Sequence, residues 1–279
     1  FPESGGPFAA MGVVGPMARS AEDLEVMFGI TASFDRFDPS AAPVPIRSSF
    51  AELKKVRIGY FEDDGTTPVT PETAAAVRAA AEALRSDGFD VRPFRPERVR
   101  DARANWWVFF VLCGGAVLQP LLDAQPNEIS DGLKEFLAIA RSGEPLTRDL
   151  LLNAWFARDA IRLAILREME ECPILLSPVA ATPAFKHRER RWKIGAKDVD
   201  YLDNFAYSQW LNGVGFPGIS VPVGRSPEGL PIGVQIVARP YEDELALQIA
   251  KVLEKSFQWI KPTLTWAHTP AQVSRSTTS

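Results

Sequence analysis

The sequence predicts an α/β fold in which a mixed β-sheet lies between helices on both faces. One observation is a pair of apolar segments, residues 218–223 and 231–237, in which β-branched residues alternate with small or cyclic ones, the two-residue period of a strand. The turn-forming residues 224–229 join them, and so short a link makes the two strands antiparallel. The other observation is a strand–helix–strand pattern over residues 56–94, which predicts a parallel, right-handed βαβ unit. Together the two units require a mixed sheet.

Start and stop signals place the first two helices. Ser20 followed by Asp23 is typical of a capping box, so a helix is expected to begin near Ala21. Thr70-Pro71 combines an N-cap residue with a proline in the first turn, and Gly88 is a suitable stop for the Ala-rich helix between them.

Hydrophobic patterning places the remaining elements. We expect strands at residues 56–61, 89–94 and 172–177, loops at 35–48 and 186–193, helices at 97–141, 147–171 and 243–257, a helix or an extended segment at 201–211, and a flexible tail at 268–279. The first of these helical regions should break at Gly114-Gly115 and at Pro120. The core contacts expected in the second are Leu151, Trp155, Ala160, Leu163 and Leu166.

Composition narrows the class of protein. A chain of 279 residues, 46% hydrophobic, can bury the core of one large α/β domain or of two small ones. The formal net charge of −4 gives no electrostatic basis for a nucleic-acid partner. Cys113 and Cys172 lie in apolar surroundings, so we expect no disulfide and a cytoplasmic location. The chain opens on a loop-like Pro- and Gly-containing segment without a signal peptide, which suggests a piece of something longer.

Few side chains suggest metal or cofactor chemistry. The two histidines, His187 and His268, lie in a basic loop and near the tail, and we interpret both as surface residues rather than metal ligands. The acidic groups at residues 62–64 and 242–244 are interpreted as solvated carboxylates at strand and helix ends. No phosphate-binding loop and no dinucleotide-binding glycine pattern occurs. We therefore expect no metal and no cofactor.

Two further segments allow more than one interpretation. The basic residues 186–193 could contact an anionic substrate or nucleic acid, but a solvated loop or salt bridges between subunits fits the acidic chain better. The apolar residues 106–118 fall short of the roughly 20 residues that a membrane span needs. We expect a buried helix there, with the lining of an apolar substrate pocket as the alternative.

Two motifs carry a family resemblance. Gly15-Pro16-Met17-Ala18-Arg19-Ser20 and the segment from Asn212 through Gly215-x-Pro217-Gly218 to Val237 stand far apart and in a fixed order. In both, the chain resembles the C-terminal portion of the amidase signature family. The resemblance implies that residues 1–279 are the C-terminal part of a single α/β domain whose N-terminal catalytic part is missing, that the substrate is a small-molecule amide and that no cofactor is used.

The resemblance also implies a mechanism. Such enzymes use two serines and a lysine, in which the lysine accepts a proton from a bridging serine that activates the nucleophile. Those serines belong to a Gly-Ser-rich loop upstream of residue 15. Ser4-Gly5-Gly6 resembles that loop only superficially, and Ser48-Ser49 lies downstream without glycines. We therefore assign no catalytic residue and expect this chain alone to be inactive.

The resemblance extends to a substrate cavity. The family segment that precedes Asn212 contributes to that cavity, and the corresponding residues here are the expected substrate-binding set. They are Tyr207, Ser208, Trp210, Leu211 and Asn212. Trp210 stands where the family often has proline, which changes the shape of the cavity, and packing beside the hairpin is the alternative for Ser208 and Trp210.

The resemblance leaves three interpretations of the whole protein. The first is the substrate-side part of an amide hydrolase. The alternatives are a non-catalytic subunit that keeps the scaffold and the A-type subunit of an amidotransferase. The expected partners are the missing catalytic half and, in a homodimer, a second copy of the chain, and we expect no membrane span. An isolated chain with an open sheet edge should be poorly soluble or self-associate.

Overall fold

The computed structural model describes residues 6, 10–32, 34–37, 42–47 and 50–257. The helices are α1 (Ala21–Thr31), α2 (Pro71–Ser86), α3 (Val99–Trp106), α4 (Gly114–Ala124), α5 (Asp131–Ser142), α6 (Arg148–Glu168), α7 (Tyr201–Asn204), α8 (Ala206–Val214) and α9 (Asp243–Ser256). The strands are β1 (Ile58–Tyr60), β2 (Val91–Pro93), β3 (Ile174–Pro178), β4 (Arg191–Ile194), β5 (Lys197–Asp200), β6 (Gly218–Arg225) and β7 (Pro231–Ala238). Ser4, Ser48-Ser49, His268 and the expected tail at 268–279 lie outside the described residues.

The main sheet has the strand order β2-β1-β3-β7-β6. Strand β1 pairs in parallel with β2 and with β3, whereas β3 and β7, and β7 and β6, are antiparallel. The mixed sheet, the parallel βαβ unit and the C-terminal hairpin are therefore confirmed. The hairpin register shifts between Pro222 and Gly224, an irregularity of the kind that a proline in an edge strand favours.

Helices cover both faces of the sheet, as expected. Consecutive residues of a strand point to opposite faces, and β3 shows this with Ile174 and Leu176 in one core and Leu175 in the other. The first core is shared with α1, α2 and α9, and the second with α3, α6 and α8. The predicted N-terminus of α1 is confirmed, since the Ser20 hydroxyl accepts the backbone N–H of Asp23 at 3.0 Å.

The long helical region differs from the prediction. Residues 99–124 form one continuous helical segment, with a π-helical stretch at Trp107–Cys113 between α3 and α4, so the expected breaks at Gly114-Gly115 and Pro120 are wrong. Gly115 serves close packing, because a Cβ there would lie 2.5 Å from the Cβ of Ala140. Pro120 is exposed, and water can satisfy the carbonyl that its missing N–H leaves unpaired. The break falls instead before α5.

This segment also bears on the membrane expectation. At 26 residues, with a mean hydropathy of 1.6 in its most apolar window, it is long and apolar enough to cross a membrane by length and composition. The prediction that residues 106–118 are too short to span a membrane is therefore wrong for the whole helical segment 99–124. A third of that window is buried, including Phe109, Val111 and Leu112, whereas Val117 and Leu121 are about half exposed at 53% and 45%.

Two expectations about single elements need correction. The basic segment 186–193 is not all loop, because Arg191 begins β4, which pairs with β5 in a separate hairpin. In α6 the expected contacts Ala160 and Leu163 are exposed, and Ile161 and Ile165 are buried in their place. The buried stripe of α6 is therefore offset from the predicted one.

The interpretation of the acidic groups is wrong for two carboxylates. Asp64 and Glu244 are buried rather than solvated. Asp64 accepts the N–H groups of Thr66 and Thr67, and Glu244 accepts that of Arg47. Both carboxylates thus satisfy backbone donors within the fold.

Candidate functional site

Helix α8 carries the five residues expected to bind substrate. It follows the single turn α7 and ends at Gly215, which has φ +69° and satisfies the last carbonyls with its N–H. This left-handed geometry explains why the motif has a glycine there. Next to it, Arg158 Nε donates to the carbonyl oxygen of Gly213 at 2.8 Å. The C-terminal end of α8 is thus fixed against α6.

Tyr207 lies inside the protein, fully buried. Its hydroxyl donates to the carbonyl of Thr67 and accepts the N–H of Asp64 at 3.4 Å. Burial, reinforced by the Asp64 charge, raises the pKa of the Tyr207 phenol, so the group stays neutral. Tyr207 therefore joins α8 to the loop that follows β1.

A second polar contact reaches the same loop. Arg103 of α3 forms an ion pair with Asp203 and donates to Gln209 Oε1 and Thr67 Oγ1, each at 3.2 Å. The Arg103 side chain is only 18% exposed, so solvent screens this pair less than a surface pair. The contact holds α3, α7 and α8 around the loop after β1.

The other side chains of the set differ in their surroundings. Ser208 Oγ donates to the carbonyl of Phe205 at 3.1 Å. Trp210 is fully buried, with its ring 6.3 Å from that of Phe216, and its indole N–H has no protein partner among the described residues. Leu211 packs beside β6, where a Cβ on Gly218 would lie 3.2 Å from Leu211 Cδ1.

Asn212 connects three parts of the chain. Its Oδ1 accepts the indole N–H of Trp106 at 2.8 Å, and its Nδ2 donates to the carbonyl of Met11 at 2.6 Å. Both polar atoms of the amide are thus engaged within the protein. The structure brings all five residues together on α8; contact with a substrate stays a prediction for each of them.

A buried amide places α8 over the sheet. Gln235 of β7 is 4% exposed, and its Nε2 donates to Ser177 Oγ at 2.8 Å and to the carbonyl of Tyr207 at 2.6 Å. A buried amide is stable only when it is hydrogen-bonded. The pattern of the hairpin shows Gln235 as the one polar residue between buried apolar ones, a signal that sequence analysis did not use.

A cavity of about 180 Å³ opens beyond the end of β3, and we name it the ring cavity. Its walls are residues 179–180 and 182–185, Phe205, Thr73 of α2, Ser220 of β6 and residues 231–233 of β7. None of these residues was in the expected site, although Ser220 and residues 231–233 lie in the family motif. The rest come together only through the tertiary fold, which spacing along the chain does not reveal.

The outer edge of β6 is a second surface of note. Strand β6 ends the sheet, and in the described part of the chain only β7 pairs with it. We name residues 10–20 the N-terminal strap. Its last residues reach this edge, where a cleft of about 220 Å³ lies between Ala18–Ala21 and Ile219–Pro222. The strap exposes apolar side chains, with Val13 at 84% and Met17 at 91%.

The described residues limit the chemistry available. Among them no group of three or more His, Cys, Asp or Glu side chains is placed to hold a metal ion. Cys113 and Cys172 are free and buried, as expected, and burial raises the pKa of both thiols. Several lysine amines bond to carboxylates or carbonyls, as Lys251 does to Glu25 and Lys197 to Thr66, and among the described residues no hydrogen bond joins a serine hydroxyl to a lysine amine.

Comparison with known proteins identifies the scaffold. The family model described as Amidase matches residues 5–247. The A subunit of the glutamyl-tRNA(Gln) amidotransferase from Acidobacterium capsulatum is 28% identical over 269 residues, covering 86% of this chain and 55% of the relative. The chain thus spans about half the length of the curated relatives that it matches.

Solved structures share the fold. One of them comes from a vestigial protein complex that reveals the evolutionary origins of an s-triazine catabolic enzyme. It superposes with a TM-score of 0.76 at 22% identity, and the match covers 87% of this chain and 53% of that chain. The structure of 6-aminohexanoate cyclic dimer hydrolase gives a TM-score of 0.69 at 24% identity, with coverage of 87% and 54%. At these identities the likeness concerns the fold alone.

Proposed function

The chain belongs to the amidase family, and on that premise we propose that it is the C-terminal, substrate-side part of an amidase signature hydrolase. The reaction would convert a carboxamide into a carboxylate and ammonia or an amine. We also propose that residues 1–279 belong to a single domain and act in the cytoplasm. Two free, buried cysteines support the cytoplasmic location.

The proposal rests mainly on the open edge of strand β6. An unpaired edge strand exposes backbone N–H and C=O groups to pairing with another chain. The N-terminal strap reaches that edge at Ala18–Ser20, and elsewhere along its length it exposes the apolar side chains of Val13 and Met17. Exposed apolar side chains next to an open strand edge are typical of an interface. We propose that a polypeptide with the catalytic half of the domain packs here.

The catalytic groups would come from that other half. Within the described residues no serine–lysine pair is available to activate a nucleophile, so the chain alone should not hydrolyse amides. Its contribution would be the wall of the substrate site. Helix α8, with Tyr207, Ser208, Trp210, Leu211 and Asn212, would support that wall, because Tyr207 fixes the helix to the loop after β1 and to β7.

Reconstitution tests the proposal. The chain is co-expressed with the N-terminal half of an amidase, containing the Gly-Ser-rich loop and the lysine, and ammonia release from simple amides is measured. We expect no release from the chain alone and turnover from the complex. Loss of the catalytic machinery in serine hydrolases costs on the order of a million-fold, so the contrast should be plain. A folded complex without turnover on any amide would refute the hydrolase.

A matched pair of variants tests the interface. Met17→Asp places a charge on the N-terminal strap, and Leu163→Asp places one on the exposed face of α6, where Leu163 is 50% exposed. We expect Met17→Asp to prevent assembly with the catalytic half and to reduce self-association of the isolated chain. Leu163→Asp should leave both unchanged. Equal effects of the two variants would contradict the proposed surface.

A second candidate is the A-type subunit of an amidotransferase. The relatives that carry this name are 28% and 27% identical to the chain. Such a complex should release ammonia from glutamine in preference to other amides, whereas the hydrolase should accept other amides as well. The non-catalytic subunit remains the alternative if the complex forms, remains folded and hydrolyses neither. A homodimer of the isolated chain would be seen as a doubling of its mass in solution.

A further inference from the structure

Two arginines of α6 differ from the other half-buried arginines in the described part of the chain. Each of the others has a carboxylate oxygen within 4.0 Å. They are Arg57, Arg85, Arg98, Arg103, Arg190 and Arg239. Arg158 and Arg162 are also half-buried, but neither forms an ion pair with a described residue. A charged side chain that is partly removed from water is normally paired, so these two require an explanation.

The two unpaired guanidinium groups are neighbours. Arg162 follows Arg158 by one helical turn, which places both side chains on the same face of α6. Burial lowers the pKa of Arg158, and the charge of Arg162 lowers it further. Asp159 acts on that pKa in the opposite direction, but it is exposed and makes no ion pair with either arginine in the described structure. Like charges at this spacing repel each other, and a bound anion would remove the repulsion.

The Arg158 side chain is held in a fixed position. Its Nε donates to the carbonyl oxygen of Gly213 at 2.8 Å, and its Cζ lies 5.8 Å from the centre of the Trp155 ring. Gly215 leaves room for the guanidinium, since a Cβ there would lie 3.3 Å from Arg158 Nη2. A guanidinium has five N–H groups, and the bond to Gly213 is the one that Arg158 makes to a described residue. The N–H groups of both Nη atoms are therefore available on a preorganised fork.

The charge and shape of this arginine pair determine which anion fits. Two guanidinium groups attract a doubly charged anion about twice as strongly as a singly charged one at the same distance. A phosphate group carries close to two negative charges and has three acceptor oxygens. Guanidinium forks match phosphate oxygens with parallel hydrogen bonds, and two forks can share the oxygens of one group. A single carboxylate or a chloride ion would balance only half of the charge.

We propose that Arg158 and Arg162 bind inorganic phosphate or the phosphate group of a small soluble molecule. The site goes beyond the proposed function, because it requires neither an amide substrate nor the catalytic half. It also bears on the stability of the fold. Arg158 bonds to the carbonyl of Gly213, so an anion that holds this guanidinium in place would also strengthen the attachment of α8 to α6.

Titration of the purified chain with inorganic phosphate tests the inference. Phosphate, acetate and chloride are compared at constant ionic strength by calorimetry and by the melting temperature of the chain. We expect phosphate to bind at least about tenfold more tightly than acetate, which carries one charge, and to raise the melting temperature as its concentration increases. A folded chain that does not bind phosphate, or that binds acetate or chloride equally well, would overturn the inference.

Variants of Arg162 locate the site without breaking the bond from Arg158 to Gly213. Arg162→Gln should weaken phosphate binding by at least about tenfold, as expected for the loss of charge-assisted hydrogen bonds. Without phosphate it should melt no lower than the wild-type chain, because it relieves the repulsion. Arg162→Lys keeps the charge but loses the fork, so its affinity should be intermediate. Arg167→Gln, at an exposed position of the same helix, is the matched control and should bind normally. Unchanged affinity in Arg162→Gln would refute the site.

The reconstituted complex separates a phosphate site from an interface. We expect the complex to bind phosphate with the affinity of the chain alone, and Arg162→Gln to assemble as readily as the wild-type chain. If assembly abolishes phosphate binding and Arg162→Gln does not assemble, the two arginines pair with a carboxylate of the partner and the inference is wrong. Phosphate binding by a complex that hydrolyses no amide would support the site and refute only the hydrolase.

Discussion

Replacement of Asn212 by alanine should reveal whether this residue stabilises the fold. The Asn212 amide accepts the N–H of Trp106 at 2.8 Å and donates to the carbonyl of Met11 at 2.6 Å. Trp106 is only 4% exposed, so its N–H would lose its partner without free access to water. A buried donor left unpaired costs about 1–3 kcal/mol, and the second hydrogen bond contributes about 1 kcal/mol. We expect a loss of about 3 kcal/mol in the free energy of unfolding.

Urea denaturation monitored by circular dichroism measures this loss. A double-mutant cycle with Trp106→Phe isolates the hydrogen bond, because phenylalanine has no N–H to leave unpaired. The coupling energy should be at least about 1 kcal/mol. Asn127→Ala is the control, since Asn127 is exposed, and it should change stability by less than about 0.5 kcal/mol. A coupling energy near zero would refute the role assigned to Asn212.

Three further predictions concern packing, thiols and pH. Gly115→Ala should destabilise the chain by about 1–3 kcal/mol in urea denaturation, because its Cβ would lie 2.5 Å from that of Ala140, and Ala140→Gly in the same chain should recover part of the loss. Cys113 and Cys172 should resist a thiol reagent at about pH 8 in the folded chain and react after unfolding, because burial raises the pKa of both thiols. Rapid labelling of the folded protein would contradict this prediction. Burial raises the pKa of Asp243 in the folded chain. Ionised Asp243 therefore lowers the stability of the fold at pH values above its folded-state pKa. Below its unfolded-state pKa the group is protonated in both states, and the effect is absent. Asp243→Asn should therefore stabilise the chain at about pH 7 and make no difference below about pH 3, as judged by thermal melts at both pH values.

The sheet was predictable because its signals are local. The alternation in residues 218–223 and 231–237 and the Pro71 and Gly88 signals each depend on neighbours in sequence, and the structure confirms both units. The helical breaks were not predictable in this way. A glycine that allows close packing and a glycine that ends a helix look the same in sequence. Only the position of Ala140, on another helix, explains Gly115.

The candidate site shows the same limit. Tyr207 and Trp210 were expected at a substrate cavity from their place in a motif, and the structure adds that both are fully buried. A motif records which residues recur together. It does not separate the residues that touch a ligand from the residues that hold those ligand-binding residues in place. The ring cavity requires residues from α2, β6, β7 and the segment after β3, whose convergence is a property of the sheet order.

The hydrogen bonds of Gln235 show how residues that do not line a site can still position the elements that do. The Gln235 amide joins Ser177 on β3 to the backbone of Tyr207 on α8, and Tyr207 in turn holds the loop after β1. Two central strands and one helix are therefore connected by a single buried polar chain. A shift of α8 that broke these bonds would leave buried polar groups unpaired, at about 1–3 kcal/mol each, in addition to disturbing the packing of the buried Trp210. The polar chain thus fixes the position of α8, and with it the wall that the proposed substrate site requires.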